Sequence, residues 1–111
     1  MKKQPEGIDV NWVTVEIHWP FPTWIERELF ADEFHHVNED ITATRLVKMF
    51  NCLGPAIERG FASGAVDSSS LKFQYWRKPG VNSRKEKPVE LKATLYQHPD
   101  YDKVWLLVEY A

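Results

Sequence analysis

One cysteine, Cys52, is all this chain has. That excludes an intramolecular disulfide and any cysteine-built zinc cluster of the usual kind. Cys52 falls in a stretch of helical pattern, where a small buried thiol is the ordinary role. Long apolar runs are missing too. Nothing approaches the roughly 20 consecutive apolar residues of a membrane span. The opening MKKQPEGIDV has two lysines with no apolar stretch behind them, so it does not read as a secretory signal. These absences point to a reduced, cytoplasmic protein away from membranes. Low-complexity tracts and internal repeats are lacking as well, which removes solenoids and fibrous arrays. There is no Walker-type glycine loop, no G-x-S-x-G elbow and no HExxH pair, and no pattern implies a cofactor or a metal.

What is present is a globular composition over 111 residues, 43% hydrophobic and 27% charged. That suits one α+β domain, 1–111, able to bury roughly two thirds of its unfolded surface. Aromatics reach 14%, and five of them are tryptophan. Tryptophan is enriched where proteins meet partners, although core packing is its commoner use. Charge is uneven along the chain. Residues 1–40 hold three basic residues against nine acids, a net of −6, whereas residues 71–88 hold six basic residues against one acid, a net of +5.

The stretch NWVTVEIHW alternates, and the spacing predicts a strand from about Val10 to Trp19, stopped by Pro20 and Pro22. Thr23 then opens T-W-I-E, a capping-box pattern, ahead of a helix from Trp24 to about Val37. Its apolar stripe is Ile25, Leu29, Phe30, Phe34 and Val37. Asn38 or Asp40 can cap a second helix carrying Ile41, Leu46, Phe50, Leu53 and Ile57, with a kink or restart expected at Gly54-Pro55. After a small, polar loop come three strands: Leu71–Arg77, Val89–Gln97 and Lys103–Tyr110. Residues 1–8 read as a flexible terminus and 78–88 as a basic hairpin loop. The order β-α-α-β-β-β predicts a four-stranded, mainly antiparallel sheet with two helices packed on one face.

Each strand then has two faces. One collects Val13, Val15, Ile17, Leu71, Phe73, Tyr75, Val89, Leu91, Ala93, Leu95, Val104, Leu106 and Val108, a coherent core. The other collects Trp12, Thr14, Glu16, His18, Lys72, Gln74, Trp76, Glu90, Lys92, Thr94, Tyr96, Trp105, Leu107 and Glu109. Large aromatics with a charged surround, left open to water, resemble an interface awaiting its partner. Plain cross-strand stabilisation and burial in a homodimer are the structural alternatives.

The chemistry that the residues offer is thin. Glu16 and His18 share a strand face in this register and, with His98, make an acid–base set of the kind a small hydrolase or ribonuclease uses; nothing in the spacing makes them converge. In DEFHHVNED, Asp32 and His36, and His35 and Glu39, are i,i+4 neighbours, but a solvated acidic helix end is the plainer reading. RKPGVNSRKEK offers Arg77, Lys78, Arg84, Lys85 and Lys87 to a nucleic acid, with Trp76 beside them to stack on a base. Glu16, Glu90 and Glu109 on the same face argue against it.

The most economical expectation is a non-enzymatic protein-binding module. It would work through Trp12, Glu16, His18, Trp76, Tyr96 and Trp105, or through the acidic set Glu26, Glu28, Asp32, Glu33, Glu39 and Asp40. An acidic inhibitor of a basic protein, such as a bacterial immunity protein that neutralises a nuclease toxin, fits this profile, because charge complementarity speeds association.

Overall fold

The computed structural model describes residues 3–62, 70–76, 88–100 and 103–111. In chain order the elements are β1 (Ile8–Asp9), α1 (Asn11–Thr14), β2 (Thr23–Ile25), α2 (Arg27–Leu29) running into a π-helical turn (Phe30–Phe34), α3 (Glu39–Ala62), β3 (Ser70–Tyr75), β4 (Val89–Gln97) and β5 (Val104–Tyr110). The class is α+β, as the element pattern predicts. The sheet differs from the expectation: it has five strands in the order β1-β2-β5-β4-β3. It is mixed because β2 lies parallel to β5, with Trp24 opposite Leu107.

The C-terminal meander follows its alternation closely. β4 pairs antiparallel with β3 and β5, placing Leu91 opposite Phe73 and Tyr110. Phe73, Tyr75, Leu91, Ala93, Leu106 and Val108 point to one side and are buried there. Against them lies α3, whose Leu46, Met49, Phe50, Leu53 and Ala56 recur at helical spacing and share the same core. Asn38 caps this helix, its Oδ1 accepting the Asp40 N–H at 2.9 Å. The helix continues through Pro55 instead of restarting there; Pro55 has no N–H to offer the Asn51 carbonyl.

The N-terminal third departs from expectation. Instead of a strand from Val10 to Trp19, the chain turns helically from Asn11. Asp9 Oδ1 accepts the Asn11 N–H at 2.7 Å, and the bonds Val15 N–H to Asn11 O and Ile17 N–H to Val13 O follow. The apolar residues fit both periods. Val10 and Val13 are buried, whereas Val15, inward on the strand reading, is 73% exposed. The turn ends in a Schellman arrangement, with Trp19 N–H bonded to Thr14 O and His18 N–H to Val15 O. The left-handed position is held by His18 at φ 56°, where glycine is usual.

The T-W-I-E capping box does not form. Thr23, Trp24 and Ile25 are a strand, and Glu26 itself caps α2, its carboxylate accepting from the N–H groups of Glu28 and Leu29. The first long helix therefore shrinks to residues 27–34. What diverts Thr23–Ile25 is pairing on both edges: β1 on one side, and on the other Leu106 N–H to Pro22 O and Glu26 N–H to Val108 O. Asn11 Oδ1 ties α1 to this strand by accepting the Thr23 N–H at 2.9 Å.

Candidate functional site

Two surfaces hold the residues singled out from the sequence. The first is the side of the sheet away from α3. Trp12, Glu16 and His18 are not on it, because α1 replaces the expected strand. Trp12 is 46% exposed on that helical turn, and His18 is occupied with closing it. Trp76 follows β3 and is 51% exposed, while Trp105, expected to lie open, is only 1% exposed, and Leu107 beside it is 2% exposed. What remains on this side is a set of cross-strand rows. Gln74 Nε2 donates to Glu90 Oε1, Lys92 pairs with Glu109 at 2.9 Å, and the hydroxyls of Ser70 and Thr94 meet at 3.0 Å. The last row is aromatic: Tyr96 stacks on Trp105 with centroids 4.8 Å apart, and Trp24 meets Trp105 edge-on at 5.6 Å.

Lys3, part of the stretch expected to be a flexible terminus, lies against that aromatic row. Lys3 N–H donates to the Gln97 carbonyl at 2.9 Å, at the end of β4 beyond the residues that pair with β3. The Trp105 indole N–H donates to the Lys3 carbonyl at 2.8 Å, and the Lys3 ammonium sits 4.9 Å from the Tyr96 ring centre. A bond to Glu6 raises the pKa of Lys3 above its ordinary value, and desolvation opposes the rise; Glu109, bonded to Lys92, raises that lysine likewise. Sequence reasoning missed the arm because it carries no periodic apolar signal. It missed Trp24 as an aromatic of this face because a capping-box pattern assigned that residue to a helix.

The second surface is the acidic elbow between β2 and α3. Glu28, Asp32, Glu39 and Asp40 are exposed, and Glu26 and Glu33 half-buried. Four of the six have local work as well. Glu26 caps α2, Asp32 accepts the Tyr110 hydroxyl at 2.9 Å, and Glu39 and Asp40 stand in the first turn of α3, where the helix dipole favours them. Between the π-helical turn and α3 runs a cleft of about 700 Å³, with Asp32 and Glu33 on one wall, Thr44, Arg45 and Lys48 on the other, and Ile41 and Tyr75 completing it. A π-helical turn is an uncommon device, frequent at functional sites.

The acid–base set does not assemble through any bond among the described residues. Glu16 and His18 sit on the turn after α1, and His98 lies beyond β4, where its Nδ1 accepts the Asp100 N–H at 3.1 Å. His36 is likewise engaged, its Nδ1 accepting the Asn38 N–H at 2.9 Å. Among the described residues no three His, Cys, Asp or Glu side chains gather as a metal cage requires, and no helix is long and apolar enough to cross a membrane. The basic set Arg77, Lys78, Arg84, Lys85 and Lys87 lies outside the described residues. Comparison with known proteins returned nothing similar: no family model, no curated protein and no solved structure matches the chain.

Proposed function

We propose that this chain is a non-enzymatic protein-binding module of the reduced cytoplasm that inhibits a basic partner, a nuclease toxin being the partner class, in the manner of an immunity protein. The observation that supports the reading is the acidic elbow. Between Glu26 and Asp40 six acids face a single base, Arg27, and four of the six are exposed; one of these, Asp32, lines with Glu33 one wall of the cleft whose other wall carries Arg45 and Lys48. A patch of one sign raises encounter rates with a cation-rich cleft and disfavours acidic competitors.

The test is inhibition of a panel of basic nuclease toxins at stoichiometric ratio, followed by stopped-flow association with any toxin that is inhibited. Neutralising Glu28→Gln, Asp32→Asn, Glu39→Gln and Asp40→Asn together should slow association about ten-fold at low salt and flatten its dependence on ionic strength. An unchanged association rate would remove the elbow from the mechanism, and inhibition of no panel member would overturn the inhibitor reading.

A further inference from the structure

The aromatic side of the sheet carries chemistry that the acidic elbow does not use. Among the described residues, Lys3 of the chain's own arm lies on it, and its contacts are of the kind a bound peptide makes. Two are backbone bonds that any extended segment can make: Lys3 N–H to Gln97 O and the Trp105 indole N–H to Lys3 O. One is selective, the ammonium over Tyr96. Main-chain bonds supply affinity in peptide recognition, and side-chain contacts supply selectivity.

We infer that the Tyr96–Trp105 platform is a binding site for an extended, lysine-bearing peptide segment, occupied in cis by residues 3–7 and opened by release of that arm at Gly7. Three features carry the inference. Trp105 is buried and its indole N–H must keep an acceptor, so the platform calls for a peptide carbonyl at that point whichever chain provides it. The arm brings no aliphatic or aromatic side chain apart from the Pro5 ring, and its ion pair, Lys3 with Glu6, is largely solvated. Such a segment belongs to the low-stability end of a fold and is replaceable by another of like chemistry. Its exit is a position that requires glycine: Gly7 has φ 95°, and a Cβ there would collide with the Ile25 carbonyl oxygen. A tethered arm competes at an effective concentration on the order of millimolar, so a peptide in trans gains the platform only once the arm is loosened.

The experiment follows the five tryptophan indole N–H signals by NMR in the full chain, with Trp105 identified by the signal lost in Trp105→Phe. The probe is a synthetic peptide of residues 1–7, alongside its Lys3→Ala version. In wild type the peptide should leave the Trp105 signal in place. In Gly7→Ala that signal should move and its hydrogen should exchange at least about ten-fold faster. The peptide should then restore the signal, and the Lys3→Ala peptide should bind about three-fold more weakly. A folded Gly7→Ala with an unmoved Trp105 signal, a moved signal that the peptide does not restore, or equal binding of the two peptides would each overturn the proposal. Should Gly7→Ala fail to fold, Lys3→Pro is read in the same way, since it keeps Gly7 but removes both the N–H bonded to Gln97 and the ammonium.

Discussion

The two sides of the sheet share three long strands and solve the problem of covering them differently. Toward α3, Phe73, Tyr75, Leu91, Ala93, Leu106 and Val108 meet Leu46, Met49, Phe50 and Leu53 in one apolar cluster, and Phe34 approaches the Tyr75 ring at 5.3 Å. Away from α3, the same strands present charged, hydroxyl and aromatic rows, and the cover described is an arm with little apolar surface. Burial stabilises the first side by roughly 25 cal/mol per Å² removed from water. The second buries Trp105 and Leu107 as well, and adds cross-strand pairs worth about 0.2–1 kcal/mol each.

The sharpest way to break that comparison is to thin each side in turn. Leu91→Ala, on the α3 side, should cost about 2–5 kcal/mol in urea unfolding, because it leaves a cavity in a core that can collapse only partly. Trp105→Phe, on the other side, keeps a ring in place and should cost about 1–2 kcal/mol, chiefly for the lost bond to Lys3. If the second change costs as much as the first, the arm side is as cooperative a core as the helix side. A change confined to the turn between α1 and β2 should act in the opposite direction. His18→Gly relieves a left-handed residue at φ 56° and should raise stability by about 0.5–1 kcal/mol. It should leave the Trp105 indole signal unmoved.

The smallest effect belongs to the pair Lys92 and Glu109. Because Lys92 has its pKa raised by Glu109, its contribution is complete below the unfolded lysine value and fades as pH climbs through the higher folded one. Lys92→Met should therefore differ from wild type only slightly at neutral pH, and the difference should vanish in strongly alkaline buffer. A difference that persists there would assign the effect to packing of the lysine stem.

How far this was legible from residues alone varies with the range of the interactions involved. β4 begins and ends where its alternation predicts, and β3 and β5 agree to within a residue or two, because each has a clear apolar set and a buried side to receive it. The Asn38 cap was legible for a local reason: its partner, Asp40, is two residues away. By contrast, NWVTVEIHW satisfies both a strand and a helix period, and TWIE satisfies a capping box. Each was settled by bonds to distant chain: Asn11 to Thr23, Leu106 to Pro22, Glu26 to Val108. The acidic elbow was visible as a run of charge, whereas the arm-covered platform was not, since its key bond joins Lys3 to Trp105 across 102 residues.

Taken by itself, the order of residues determined the α+β class, the meander, the apolar stripe of α3 and the separation of charge along the chain, all consequences of periodicity and composition within a few neighbouring residues. Tertiary structure alone decided that a three-residue strand enters beside β5 in parallel, that Trp105 is buried instead of open, and that Lys3 lies on an aromatic platform. Those outcomes depend on which backbone N–H and C=O groups find each other across the fold, and unsatisfied buried groups cost enough to override a local pattern.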